Sequence, residues 1–161
     1  MGSTMHYRLG VGIMLVNSHK SVWVGKRLNT PDAWQMPQGG IDPEESAIQT
    51  LYRELYEETG IHAKDVTLVA ESNEWITFAW PEELQERLWG GVYQGQRLKW
   101  FLLKLNTDHD VTNLISEHPE FSTHKWVNVN DIATYIVDFK RPMYETIIKE
   151  FAWYFNDRSP D

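Results

Sequence analysis

The sequence contains no cysteine. That excludes a disulfide framework, a thiolate metal site and a cysteine nucleophile. No stretch approaches the roughly 20 consecutive apolar residues needed to span a bilayer. Basic charge is scarce: 15 Lys and Arg stand against 23 Asp and Glu, a formal net charge of −8, with a pI near 5.2. A broad grip on a nucleic-acid backbone needs many cations to neutralise phosphates, so this balance argues against one. Met1-Gly2-Ser3-Thr4-Met5 has no basic segment followed by an apolar one, so no secretory leader is read there. His6 stands where the myristoylation pattern requires Ser or Thr. There are no repeats and no low-complexity blocks. Residues 1–5 read as a disordered N-terminus or cloning remnant, 6–156 as a single domain and 157–161 as a C-terminal tail. The cytoplasm is the simplest location.

What is present points to a folded domain. The 161 residues are 42% hydrophobic and 13% aromatic, with 8 Trp, which excludes a disordered chain. A chain of this length buries about two thirds of its unfolded surface, enough for one full core. Leu9 to Val16 and Ser21 to Gly25 read as the two strands of a hairpin across Asn17–Lys20. Asn29–Ala33 is a polar loop, and Pro37-Gln38-Gly39-Gly40 is a turn signal. A helix follows, about Ser46 to Thr59, with Gly60 as its stop. Two starts compete: Asp42-Pro43-Glu44-Glu45, with an N1 proline, and a capping box from Ser46 to Gln49.

Val66 to Ala70, Trp75 to Trp80, Leu98 to Leu105 and Lys125 to Val129 read as further strands, with Pro81–Gly91 a short helix or a loop. Asn130-Asp131 is expected to cap a short helix to Ile136. Arg141-Pro142 opens a last helix with Met143, Tyr144, Ile147, Ile148, Phe151 and Phe155 on one side. The pattern predicts an α/β (α+β) fold, a mixed sheet between helices.

The chemistry concentrates in Gly39–Ile61. Glu54, Glu57 and Glu58 stand at offsets that share one helical face, beside an apolar stripe of Ala47, Ile48, Leu51 and Leu55. Like charges one turn apart repel by a few tenths of a kcal/mol, and a divalent cation reverses that penalty. Hard oxygen donors without soft ligands favour Mg²⁺, with Mn²⁺ able to substitute, over Zn²⁺. Mg²⁺ is commonly shared with phosphates, so a polyphosphate substrate is the natural companion. For Glu57-Glu58 alone, a solvated acidic face is the better reading.

The whole string alters that balance. Gly39, five residues, Glu45, seven residues, Arg53-Glu54-Leu55, one residue, Glu57-Glu58, one residue, Gly60-Ile61 matches the Nudix box at all nine fixed positions. The chain thus resembles the Nudix hydrolase family. The resemblance implies the Nudix fold and hydrolysis of a nucleoside diphosphate linked to another group. It implies Glu54, Glu57 and Glu58 as metal ligands, a backbone carbonyl at Gln38 or Gly39 completing the shell, and an Arg53–Glu45 pair holding the loop.

The flanks carry a finer resemblance, running from about Tyr7 to Phe155. Trp34-Gln35-Met36-Pro37-Gln38-Gly39-Gly40-Ile41, Trp80-Pro81, Gly95-Gln96, Lys99-Trp100-Phe101, Pro119-Glu120-Phe121 and Phe139-Lys140-Arg141 are similar to the bacterial RNA pyrophosphohydrolase group, which overlaps the dinucleoside polyphosphate hydrolases. It implies removal of pyrophosphate from 5′-triphosphorylated RNA ends, or asymmetric cleavage of dinucleoside polyphosphates. A catalytically silent nucleotide-binding module is the reading from another class, and the intact box glutamates argue against it.

By the same resemblance, Glu120 is a metal ligand or the general base; Glu54, Glu57 and Glu120 all remain candidates for that proton. Arg8, Arg27, Lys99 and Lys140 are expected to meet phosphates, with Arg141 a weaker candidate. Gln96 is expected to bind a phosphate or a base edge, and Phe139 to stack on a base. Trp34 and Trp100 are candidate pocket walls, while Asp32 departs from what an RNA-facing loop would favour. The histidines form no helical zinc pair. The net acidity therefore argues against a grip on an extended RNA backbone. It leaves room for an enzyme that holds only a triphosphate end through a cation, since bound cations invert the local sign.

Overall fold

A computed structural model of the chain describes residues 6–28, 30, 32–85, 92–136 and 138–156. The expected N-terminal remnant and C-terminal tail lie outside them, as do Asn29, Pro31 and 86–91 of the two expected loops.

The fold is organised by one long strand, β1 (Tyr7–Val16), buried from Gly10 onward. Side chains alternate across a strand. Val11, Ile13 and Leu15 enter one apolar cluster, and Met14 and Val16 enter the other. One edge of β1 pairs in parallel with β7 (Gly95–Leu105), from Tyr7↔Gly95 to Val16↔Lys104. The other edge is shared. β4 (Gln38–Gly40) pairs antiparallel with Gly10–Gly12, and β2 (Ser21–Arg27) touches it at Val16↔Val22.

The expected hairpin is thus a corner rather than a ladder. β2 leaves β1 after one pair and runs antiparallel to β8 (Phe121–Asn128), with the two-residue β3 (Trp34–Gln35) beside it. β5 (Val66–Glu71) and β6 (Ile76–Ala79) share the far edge of β7, completing an eight-stranded mixed sheet.

Helix α1 (Ala47–Thr59) covers one face through Leu51 and Leu55. Its start is settled in favour of Ser46, whose side chain accepts from the Gln49 amide while Gln49 reaches back to the Ser46 amide. Asp42–Glu45 instead forms a turn closed by Glu45 N to Asp42 O, with Glu44 at φ 69°. Gly60, at φ 75°, donates to Tyr56 O and ends the helix. Ile48, expected in the apolar stripe, is 41% exposed.

The opposite face is covered by α3 (Ile132–Tyr135) and α4 (Arg141–Glu150), with α5 (Ala152–Asn156) following a break at Phe151. The sheet lies between helices, as the sequence pattern predicts. The short α2 (Glu82–Gln85) follows β6. Asn128, not Asn130 or Asp131, supplies the side-chain cap before α3. No helix among the described residues is long and apolar enough to cross a membrane.

Candidate active site

Because β4 and β2 diverge along the same edge of β1, a cavity of about 670 Å³ opens beside the start of β1. α1 presents Glu54 and Glu58, one turn apart, to this cavity, and each is only 8% exposed. Glu58 Oε1 accepts from the Gln38 amide of β4 at 3.2 Å. Gly39 leaves room for the neighbouring Glu54, whose carboxyl group a Cβ there would overlap. Burial raises the Glu54 and Glu58 carboxyls above their usual range, Glu58 strongly so; the charge of Glu54 raises Glu58 further, while the hydrogen bond from Glu58 holds Glu54 down. Gly39→Ala is expected to destabilise the fold by about 1–3 kcal/mol, the usual cost of overpacking. The urea midpoint measures that loss.

Arg53 organises the outer side of α1. Its Nε and Nη2 donate to the two Glu45 carboxylate oxygens at 2.7 and 2.8 Å, a bidentate pair. Nη2 also donates to Gly40 O at 2.9 Å, and Nη1 to Glu54 Oε1 at 2.8 Å and Glu57 Oε1 at 3.1 Å. Arg53 therefore ties the Asp42–Glu45 turn, the end of β4 and two box glutamates together. Thr50 and the Asp42 amide add hydrogen bonds to Glu45. Arg53 first and then Thr50 hold the Glu45 carboxyl down at about 2.

Glu120, the residue before β8, lines the cavity, and its charge raises Glu58 further. Glu57 is placed elsewhere: it is exposed and engaged by Arg53. Among the described residues, no three His, Asp or Glu side chains converge at metal-ligand spacing. Of the four expected carboxylates, the cavity holds Glu54, Glu58 and Glu120 on its lining, with Glu57 outside it.

Cationic groups line the remainder. Arg8 lies against Gly40, where a Cβ would strike its guanidinium, and Arg27 and Lys140 share the cavity. Lys140 is buried, and its Nζ donates to Gln35 Oε1 at 3.0 Å and Gln38 Oε1 at 3.3 Å. Burial, and then the charge of Arg27, push the Lys140 amine down to about 7. Gln38 in turn donates to Gln96 Oε1 at 2.7 Å. Phe139, Trp34 and Trp80 supply aromatic walls.

Lys99 is a correction. It lies outside the cavity lining, 3.8 Å from Glu71 and hydrogen-bonded to Asn73 O. The reason is parity: Gln96, Leu98 and Trp100 alternate with it, so Lys99 points to the other face of β7. Trp100 is a core residue packed over Gly12, not a pocket wall. Arg141 reaches Ile136 O rather than the cavity. The side chains of Gln35 and Gln38, which hold the Lys140 amine, escaped the sequence reading, which weighed Gln38 only for its backbone carbonyl.

A mixed sheet between helices thus carries an acidic helix beside a cationic, aromatic-walled cavity at one edge. The NUDIX domain family model matches residues 6–147, and the chain belongs to the Nudix hydrolase family. A Rhodospirillum rubrum protein named RNA pyrophosphohydrolase is 47% identical over 146 residues, covering 91% of this chain and 87% of that one. A Cereibacter sphaeroides protein of the same name is 45% identical over 150 residues, covering 92% of each. Among solved structures, the E. coli dihydroneopterin triphosphate pyrophosphohydrolase superposes with a TM-score of 0.71 at 22% identity, covering 91% of this chain and 99% of that one. That last likeness bears on the fold alone.

Proposed function

We propose that this enzyme removes pyrophosphate from 5′-triphosphorylated RNA ends and leaves a 5′-monophosphate, with Mg²⁺ as cofactor and Mn²⁺ able to substitute. The observation that carries the reading is one cavity holding a buried carboxylate pair, three cationic side chains and aromatic walls. The close kinship to relatives named for this activity supports it. We take 6–156 as one domain and the cytoplasm as its compartment.

The residues fit a divalent ion. Their donors are all oxygen, and the negative charges of Glu54 and Glu120 that bear on Glu58 would be relieved by a cation. Glu54 and Glu58 would hold it with the Gly39 carbonyl, Glu120 on the cavity wall would be a further ligand, and Glu57 would join once turned from Arg53. When bound, such an ion offsets phosphate charge and makes water a better nucleophile.

The chain's own residues do the rest. Arg53 holds Glu54 and the Gly40 carbonyl in place. Arg8, Arg27 and Lys140 bind and orient the phosphate chain for in-line attack. Phe139 and Gln96 address the adjoining nucleotide. A carboxylate among Glu54, Glu57 and Glu120 takes the proton of the attacking water as the phosphoanhydride bond breaks and pyrophosphate leaves.

The test compares pyrophosphate release from a 5′-triphosphorylated RNA oligonucleotide with cleavage of diadenosine tetraphosphate at matched concentrations. Faster turnover of the RNA is expected. Cleavage of the dinucleotide alone would make the enzyme a dinucleoside polyphosphate hydrolase instead, and cleavage of neither would leave a silent nucleotide-binding module.

A further inference from the structure

We propose that Tyr144 is a positioning residue: from α4, across the sheet from the carboxylates, its hydroxyl fixes the backbone that presents Gly39 to the acidic helix. Tyr144 is fully buried, and its Oη accepts from the Met36 amide at 2.8 Å. Met36 is fully buried as well, so its amide cannot turn to water for a substitute. The ring is set edge-on against Trp100, centroids 5.5 Å apart at 82°, so the hydroxyl sits on a rigid arm.

From Met36 the chain runs directly into the site. Pro37 O accepts from the Ile13 amide of β1 at 2.9 Å, and the Gln38 amide donates to Glu58 Oε1. Gly39 then lies against Glu54. Tyr144 thus anchors one end of a three-residue path whose other end is the carboxylate pair.

The hydroxyl has a cost that packing alone would not require. A phenylalanine would fill the same core space, whereas a buried phenol needs a partner. Lys140, the residue that immediately precedes α4, one turn before Tyr144, holds the side chains of Gln35 and Gln38 on either side of the same segment. A residue of α4 and the residue at its N-cap therefore fasten the strand end that completes the site.

The kinetic part of the test rests on the function proposed above; the exchange part does not. Tyr144→Phe is compared with Ile147→Val, a core change on the same helix, by amide hydrogen exchange, Mn²⁺ titration and turnover. In Tyr144→Phe, exchange at Met36 and Gln38 is expected to rise about tenfold or more, the scale of one lost buried hydrogen bond. Mn²⁺ binding without substrate is expected to weaken. A kcat fall of about tenfold with KM changed less than about twofold is expected from a misplaced but intact site. Ile147→Val is expected to change none of these.

Equal behaviour of the two variants would overturn the proposal. So would rapid exchange of the Met36 amide in the unmodified enzyme, a result that needs no variant. Should the unmodified enzyme leave RNA uncleaved, the proposed substrate fails while exchange and Mn²⁺ binding still decide the role of Tyr144.

Discussion

Replacing Glu58 with glutamine is expected to destroy activity and stabilise the metal-free protein. Glu58 is buried beside Glu54, and both burial and that neighbour raise its carboxyl. A carboxyl raised in the folded state stabilises the fold while protonated. That contribution is complete below the ordinary carboxyl range near 4.5 and is lost as pH climbs through the raised value. Glutamine keeps the neutral form at every pH, and its oxygen still accepts from the Gln38 amide.

The expected gain above neutral pH is about 1–3 kcal/mol, the scale for relieving an uncompensated buried polar group. At roughly 2–4 °C per kcal/mol for a chain of this length, the melting temperature rises by a readable margin at pH 8. The two proteins converge near pH 4. Turnover is expected to fall about 10²–10⁴-fold, the range for removing a positioned acid–base or electrostatic group. A variant less stable than the parent at pH 8 would contradict the buried-charge account.

Arg53→Ala is expected to cost both stability and activity. It leaves Glu45, Glu54 and Glu57 without their shared cation and the Gly40 carbonyl without its donor. Arg53 is 26% exposed, which tempers the penalty for a broken buried pair, so a loss of about 2–3 kcal/mol is expected in urea unfolding. The activity should drop about a hundredfold, because Glu54 and the β4 end lose their brace.

The acid limb separates this role from plain packing. Glu45 is held down at about 2 by Arg53. Its stabilisation is present above the ordinary value near 4.5 and disappears as pH falls through about 2. Arg53→Ala should lose that limb, and Arg53→Lys, which cannot reproduce the bidentate fork, should recover little of it. An unchanged acid limb would place the Arg53 effect elsewhere.

The parts of the site that were legible in the sequence are those written along one helix. The box spacing puts Arg53, Glu54 and Glu58 where a period of 3.6 residues puts them, and Ser46, Gln49 and Gly60 mark the ends of α1 by local capping alone. Glu45 and Arg53 are also close in the chain, so their pairing needs only the first two turns of α1 and the loop before it.

What was not legible depends on distant partners. The neighbour of β1 along its whole length is β7, about ninety residues later, and no local signal reveals that β2 leaves for β8 instead. Lys99 was misplaced by a single step of strand parity. Glu57 shares the acidic helix, yet which glutamate Arg53 draws outward is decided by side-chain geometry. Tyr144 reads as one more apolar-face residue of α4 until its hydroxyl is seen at Met36.

The central claim is that Glu54 and Glu58 form a cation site on which hydrolysis depends. Calorimetric titration of Mg²⁺ or Mn²⁺ at pH 7.5, in two buffers of different ionisation heat, tests it without any substrate. Ligands that must shed protons release them on binding. The unmodified protein is expected to bind the ion with proton release, and Glu58→Gln to bind it weakly and without that release. Equal affinity and equal proton release in the two proteins would contradict the claim.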